Sequence, residues 1–163
     1  MARQPANGEL SLAVFFYGTL KRGQINHDRF CSGFARAAEA TVRGDLYDLP
    51  FGFPALVVPE ENILATGTGN PLLDASTQRR LASSAKLPKA GPRVFGEVLV
   101  FDDFEELLPA LDRFEGFDPE GGTGLYRRVL VAVETGDTSV LAWAYTIERP
   151  SGIHLPAGRW PAR

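Results

Sequence analysis

The chain has 163 residues, of which 44% are hydrophobic and 23% charged, so it is long enough for one globular domain with a substantial core. Its 17 Lys and Arg residues against 20 Asp and Glu give a formal net charge of −3. This balance argues against nucleic acid as the main partner, because such binding relies on clustered cations. The start of the chain shows no apolar run typical of a signal peptide, and no segment is apolar enough to span a membrane. We therefore expect a cytoplasmic protein without a nucleic-acid or membrane partner.

One cysteine, Cys31, and two histidines, His27 and His154, limit the chemistry that the side chains can support. A single cysteine excludes an intrachain disulfide. So few Cys and His ligands argue against a transition-metal site. We expect no metal and no cofactor, and we expect Cys31 to be a small, partly buried thiol rather than a nucleophile.

Strand-like segments outnumber helical ones along the chain. Strands are predicted at residues 12–18, 40–49, 54–60, 93–101, 126–135 and 139–147. The last two flank the glycine-bearing turn TGDT and predict a hairpin. In the first strand of this hairpin, Arg127 and Val129 share one face, whereas Tyr126, Arg128 and Leu130 share the other. Several short strands joined by turns favour a closed or strongly curved sheet.

Two segments interrupt this strand pattern. Residues 61–92 are rich in Ala, Ser, Thr and Gly, and they are either a lid or a surface insertion without a role. Part of this segment is predicted to be a helix that opens at Asp74. The tail, residues 148–163, is rich in proline and glycine and is predicted to be irregular. Trp160 either pins this tail to its own body or reaches across a partner subunit, so a homodimer is a second arrangement that the sequence allows.

Residues 102–117 carry the pattern of an amphipathic helix. Asp103, with Glu106 three residues later, resembles a capping box. Pro109 can split the segment into two short helices, with the proline in the first turn of the second one. Apolar residues recur at helical spacing, at Phe104, Leu107, Leu108, Leu111 and Phe114.

Glu115 falls inside the apolar sector of this helix, whereas Asp112 and the other carboxylates of the segment are predicted to point to solvent. Burial of a carboxylate disfavours its charged form and raises its pKa, as a general acid or base that works near neutrality requires. Structural explanations stand beside this one. The helix end before Gly116 can fray and let the side chain reach water, or Glu115 can pair with Arg127 or Arg128.

Taken in chain order, the segments FFYGTLKRG, GFPALV, VFGEVLVF, LDRFEGF, YRRVLVAV and HLPAGRW resemble the γ-glutamylcyclotransferase-like superfamily, in particular its AIG2-like and γ-glutamylamine cyclotransferase branch. The resemblance runs from about residue 12 to 160 apart from residues 61–92, and its most specific part is the pair YGTL and LDRFEG. It implies an α+β fold in which a small, distorted mixed β-barrel with a few flanking short helices surrounds one cavity. It also implies a single domain over residues 1–163.

The resemblance implies a role for each matching residue. Glu115 corresponds to the catalytic acid/base, and Tyr126 matches a tyrosine that either hydrogen-bonds the substrate or packs against the sheet. The loop that binds the γ-glutamyl group, largely through backbone amides, corresponds to Tyr17, Gly18, Thr19 and Leu20. The implied reaction releases 5-oxoproline from a small-molecule γ-glutamyl amide without metal or cofactor.

Residues 61–92 depart from the family pattern, because the corresponding connection is usually much shorter. The leaving group therefore stays open among an amino acid, a γ-glutamyl-lysine crosslink, a small amine and a biosynthetic intermediate. The alternative to an enzyme is a non-catalytic module that keeps the same fold and cavity to bind a small molecule or a protein.

Overall fold

A computed structural model describes residues 10–84, 86–120, 126–136 and 138–161. The single domain over residues 1–163 stays a prediction, since the remaining residues lie outside the described ones. The strands are β1 (Leu12–Phe16), β2 (Arg36–Arg43), β3 (Asp45–Asp48), β4 (Pro54–Val57), β5 (Ala65–Thr66), β6 (Arg93–Phe101), β7 (Arg127–Thr135), β8 (Thr138–Thr146) and β9 (Ile153–His154). The helices are α1 (His27–Phe30), α2 (Pro71–Leu81) and α3 (Leu107–Glu115). No helix in these ranges is long and apolar enough to cross a membrane.

The strands form one sheet in the order β5-β7-β2-β6-β1-β8-β4-β3-β9, and a further pairing of β7 with β8 closes five of them into a barrel. β1 runs antiparallel to β6 but parallel to β8, so the barrel is mixed. β7 and β8 pair from Arg127 opposite Thr146 to Thr135 opposite Thr138. The predicted hairpin and the mixed barrel with short helices are confirmed, although Asp137 of the turn lies outside the described residues.

Both faces of β7 are buried, and its side chains alternate between them as predicted. Val129 and Val131 belong to a cluster formed mainly by strand residues. Leu130 belongs to a second cluster that includes Leu108 and Leu111 of α3. The helices therefore pack on one face of the barrel wall. The apolar stripe of α3 packs against side chains of β7 and β8 in this cluster.

Gly44 divides the segment that was predicted as one strand over residues 40–49 into β2 and β3. A Cβ atom at this position would lie 2.5 Å from the carbonyl oxygen of Val57, so the backbones approach too closely for any side chain. The tail contains β9, whose His154 pairs with Tyr47 of β3. Trp160 donates from its indole nitrogen to Asp48 at 3.3 Å, which pins the tail to its own chain.

Residues 61–92 contain β5 and α2, and both pack on the barrel. α2 begins directly after Asn70, whose side chain accepts the N–H of Leu73 at 3.2 Å, so the predicted start at Asp74 is wrong. The cap and a proline at the first helical position outweigh the weaker signal further on. Gln78 of α2 accepts the N–H of Ala13 in β1 at 3.0 Å. The segment is thus part of the body of the domain.

α3 is one continuous helix, with Pro109 inside its first turn. Glu106 occupies the N-cap position without a side-chain hydrogen bond, so the predicted capping box is wrong. The other end is closed by Gly116, whose φ of 76° is left-handed, and by a hydrogen bond of 2.8 Å from the N–H of Phe117 to the carbonyl of Asp112. The helix end that carries Glu115 is therefore fixed rather than frayed.

Candidate active site

A cavity of about 310 Å³ lies where the loop after β1, the start of β4, the end of α3 and the end of β8 meet. Every residue that the sequence predicted for the site lines it: Tyr17, Gly18, Thr19, Leu20, Glu115 and Tyr126. Residues that are up to about a hundred positions apart along the chain are thus brought to one cavity. None of the described residues of 61–92 lines it.

The loop after β1 lines this cavity, and its backbone carbonyls and N–H groups differ in their hydrogen bonding. Its carbonyls are engaged, since Gly18 accepts from the N–H of Lys21 at 3.2 Å and Thr19 accepts from the N–H of Asn26 at 2.9 Å. The N–H groups of Gly18, Thr19 and Leu20 have no acceptor among the residues that the structure describes. Leu20 is buried and Gly18 and Thr19 are half-buried. Because buried backbone donors are nearly always paired, donors without an acceptor beside a cavity favour a site that receives a ligand.

Gly18 allows the loop to approach β4 closely. A Cβ atom at this position would lie 2.9 Å from Cγ of Pro54, closer than real Cβ atoms come. The Pro54 carbonyl in turn accepts the hydroxyl of Tyr126 at 2.5 Å. The loop, the start of β4 and Tyr126 therefore hold one another in place around the cavity.

Glu115 is the last residue of α3, and its side chain is half-buried at the cavity wall. Its carboxylate has no hydrogen bond or ion pair to any described residue. The alternatives that paired it with Arg127 or Arg128 are wrong, because Arg127 binds Glu60 and Glu148 and Arg128 binds two other carboxylates. Glu115 is thus left available to a molecule in the cavity.

Burial raises the pKa of Glu115 to about 7, and the nearby charge of Asp112 adds to this increase. A carboxyl group with this pKa exists in both protonation states near neutrality. It can therefore accept a proton and return it within one reaction cycle. The raised pKa is the property that the helical pattern predicted for this residue.

Asp112 was predicted to point to solvent, and this prediction is wrong. The residue is buried and accepts three hydrogen bonds, from the Tyr145 hydroxyl at 2.7 Å and from Nε and Nη2 of Arg128 at 2.8 and 2.9 Å. The Asp112 carboxylate can be buried because the guanidinium of Arg128, on the neighbouring strand, neutralises its charge. Arg128 thus meets a carboxylate, but that of Asp112 rather than that of Glu115.

Arg128 is itself fully buried and binds a second carboxylate, that of Asp74 on α2, at 2.8 Å. Burial alone would lower the pKa of its guanidinium, but the hydrogen bonds and charges of its partners, Asp112 first, raise it above the ordinary value. Arg128 is therefore a permanent cation that ties α2 and α3 to β7. The helix that carries Glu115 is fixed to the barrel through this pair of ion bridges.

Two tyrosines that were predicted to bind substrate use their hydroxyls inside the protein. The Tyr17 hydroxyl donates to the carbonyl of Tyr145 at 2.6 Å and receives the N–H of Leu56 at 3.2 Å. The Tyr126 hydroxyl donates to Pro54. Burial is the main cause that raises the pKa of both phenols above the usual range, so both stay neutral. Their rings shape the cavity wall, whereas their roles toward a substrate stay a prediction.

Sequence reasoning missed several residues that line the cavity: Asn26, Phe53, Pro54, Phe114 and Tyr145. Asn26 and Pro54 carry no local signal, since only the tertiary approach of the loop to β4 brings them in. Phe114 was predicted only as part of the apolar stripe of the helix. Cys31 is fully buried rather than partly buried as predicted, and burial raises the pKa of its thiol to about 12.

Comparison with known proteins identifies the same family that the sequence motifs resemble. The sequence profile of the family described as "Gamma-glutamyl cyclotransferase, AIG2-like" matches residues 14–83 and 64–162. Gamma-glutamylaminecyclotransferase of Bos taurus is 34% identical over 147 residues, which cover 88% of this chain and 71% of the bovine protein.

Two solved structures share the fold. The structure of YkqA from Bacillus subtilis gives a TM-score of 0.58 at 19% identity, and the match covers 93% of this chain but 40% of that one. An AIG2-like protein from Mus musculus gives a TM-score of 0.52 at 24% identity, over 84% of this chain and 77% of that one. With the family profile matched along most of its length, the chain belongs to the AIG2-like γ-glutamyl cyclotransferases, a family of enzymes.

Proposed function

We propose that the protein is a γ-glutamyl cyclotransferase that cleaves γ-glutamyl amides into 5-oxoproline and a free amine. One observation carries this proposal. Glu115, with a pKa near 7, lines the same cavity as three backbone N–H groups that lack acceptors among the described residues. A base that changes protonation near neutrality and a set of free donors are the two components that acyl transfer to an internal amine requires.

The substrate carries its own nucleophile. The α-amino group of a γ-glutamyl amide attacks the γ-carbonyl carbon, a five-membered ring closes, and the bond from that carbon to the amide nitrogen breaks. Water is not consumed. When the cavity holds the chain in a curled conformation the attack is intramolecular, and such orientation contributes up to about 7–11 kcal/mol.

Glu115 moves the proton. Its carboxylate takes a proton from the α-ammonium, which frees the nitrogen lone pair for attack. The resulting carboxylic acid protonates the amide nitrogen as the bond to it breaks, and the amine leaves. The ring nitrogen then loses its second proton, which the released amine takes up at neutral pH, so Glu115 returns to its starting form.

The N–H groups of Gly18, Thr19 and Leu20 stabilise the negative charge that develops on the γ-carbonyl oxygen and hold the γ-glutamyl group. One donor of this kind is worth a factor of about 10²–10³ in rate in enzymes where it has been removed. The neutral rings of Tyr17 and Tyr126 exclude water from the same space. The activity for which the bovine relative is named supports an amine as the leaving group.

Mass spectrometry of 5-oxoproline tests the proposal. The wild type, Glu115→Gln and Glu105→Gln are incubated with a panel of γ-glutamyl amides and γ-glutamyl amino acids. Glu105 is the control because it is an exposed carboxylate just before the same helix. We expect release by the wild type and Glu105→Gln, and a loss of at least about 10²-fold in Glu115→Gln. Binding of the same compounds without turnover in any protein would instead identify a non-catalytic binding module.

A further inference from the structure

The wall of the cavity combines polar groups, those of Glu115 and the loop after β1, with several aromatic rings. Tyr17, Leu20, Tyr126 and Tyr145 line it and are all buried. Phe114 lines it as well, but 36% of its surface is exposed. Phe114 is thus the most exposed aromatic ring of this lining, which places it at the mouth, where the cavity meets solvent.

The turn between β3 and β4 adds two more aromatic rings to the mouth. Phe53 lines the cavity, and the ring of Phe51 stacks on it with a centroid separation of 5.8 Å. Phe51 is 69% exposed. The turn is held by hydrogen bonds from the N–H of Gly52 to the carbonyl of Leu49 at 3.2 Å and from the N–H of Leu49 to the carbonyl of Phe53 at 3.1 Å. A constrained turn thus presents Phe51 to solvent beside the cavity.

Two charges of opposite sign, those of Glu115 and Arg29, lie near this mouth. Among the described residues that line the cavity, Glu115 is the one carboxylate and there is no Lys, Arg or His. Outside the lining, the guanidinium of Arg29 lies over the rings of Phe30 and Phe114, at 4.9 and 5.9 Å from their centroids. A cationic substituent would approach Arg29 unfavourably, whereas an uncharged apolar one meets ring faces.

We propose that Phe51, Phe53 and Phe114 form a leaving-group subsite that selects γ-glutamyl amides of amines with an uncharged aromatic or long aliphatic substituent. This inference rests on the proposed function. In the proposed reaction the γ-glutamyl group lies against Glu115 and the free N–H groups. The amine half of the substrate then extends over the exposed rings beside the cavity, which it covers from water. Exposed apolar residues grouped beside a cavity are typical of a ligand site.

The ratio of kcat/KM for γ-glutamyl-phenethylamide to that for γ-glutamyl-ethylamide measures this selection. It is determined for the wild type, Phe51→Ala and Leu72→Ala. Leu72 is the matched control, since it is 48% exposed and does not line the cavity. We expect a wild-type ratio of about ten or more, a decrease of several-fold in Phe51→Ala, and the wild-type ratio in Leu72→Ala. Because Phe51 is so exposed, its truncation leaves the core intact.

A wild-type ratio near one, or a ratio that Phe51→Ala does not change, would overturn the subsite. So would a wild-type dimer that becomes monomeric in Phe51→Ala while the ratio stays the same, since the ring would then serve an interface. If neither amide yields 5-oxoproline, the proposed function fails and calorimetry decides about the subsite. Tighter binding of the phenethylamide, reduced by Phe51→Ala, supports it, and equal binding of both amides overturns it.

Discussion

Asp112 and Glu115 lie about one turn apart on α3, yet their carboxylates have opposite surroundings. Asp112 is bound by Arg128 and Tyr145, whereas Glu115 has no partner in the described part of the chain and faces the cavity. The two charges still interact, because the charge of Asp112 helps to raise the pKa of Glu115. One carboxylate therefore fixes the helix, and the other is left to exchange protons.

The first prediction concerns the pH dependence of turnover. Glu115 must be ionised to take a proton from the substrate, and its pKa is about 7. We expect kcat/KM to increase with pH and to level off above the pKa of this group in the free enzyme. A pH profile of kcat/KM for any active γ-glutamyl amide measures it, and an activity that is constant between about pH 5 and 8 would contradict the assignment.

The second prediction concerns Asp112→Asn. Removal of the negative charge lowers the pKa of Glu115, and the guanidinium of Arg128, now less neutralised, acts in the same direction. We expect the acidic limb of the profile to move to lower pH. Glu105→Gln, which removes an exposed charge of the same type, should leave the limb in place. A limb that does not move in Asp112→Asn, in a protein that is still folded, would contradict the electrostatic coupling.

The third prediction concerns stability. The folded-state pKa of Glu115 is above its unfolded value of 4.5, so the unfolded chain loses this proton first as the pH rises. The free energy of unfolding therefore decreases between about pH 4.5 and 7, and stays lowered above that range. Relative to the wild type, Glu115→Gln should be stabilised by on the order of 2–3 kcal/mol at pH 8 and by almost nothing below about pH 4. Urea unfolding of both proteins at the two pH values tests this, and an equal difference at both would refute it.

The fourth prediction compares two neighbouring arginines of β7. Arg128→Met leaves the carboxylates of Asp74 and Asp112 buried without a cation, and we expect a loss of about 3–5 kcal/mol in the free energy of unfolding. Arg127→Met removes only partly exposed ion pairs, with Glu60 and Glu148, and should cost at most about 1 kcal/mol. Denaturant melts at pH 7 measure both, and similar losses would show that the buried pair does not hold α2 and α3 on the barrel.

The fifth prediction concerns the loop after β1. Gly18→Ala brings a Cβ atom within 2.9 Å of Cγ of Pro54, so the loop and the Pro54 ring must move apart, and the N–H groups of the loop shift with it. A displacement of this size at a positioned group can cost about 10²-fold in turnover, and we expect a loss of that order with the fold retained. Gly33→Ala is the control, since its Cβ would meet nothing within 4 Å. Full activity in Gly18→Ala would exclude the loop from the reaction.

The local sequence pattern was sufficient to predict most strands and to single out Glu115. β6 spans Arg93–Phe101, the predicted range, because its apolar residues are bounded by turn residues on both sides. Glu115 was found because a carboxylate inside an apolar helical sector stands out against its solvated neighbours. Each of these two signals is contained within one short segment of the chain, where periodicity is informative.

Long-range partners account for what the pattern missed. Asp112 was assigned to solvent because periodicity treats every carboxylate as polar, whereas its partner Arg128 lies 16 residues away and Asp74 a further 54 positions from that arginine. Likewise, the break at Gly44 follows from the approach of Val57, which the strand pattern does not contain. Whether a charged side chain is buried depends on its partner in the tertiary structure, and a single sequence does not identify that partner.

The central claim is that Glu115 promotes closure of the substrate onto its own α-amino group. A γ-glutamyl amide labelled with ¹⁵N at the α-amino position, incubated in H₂¹⁸O, tests it most directly when the products are identified by mass spectrometry. We predict ¹⁵N-labelled 5-oxoproline without ¹⁸O from the wild type, and none above background from Glu115→Gln. Labelled glutamate that carries ¹⁸O would show hydrolysis by water instead, and undiminished 5-oxoproline from Glu115→Gln would remove this residue from the mechanism.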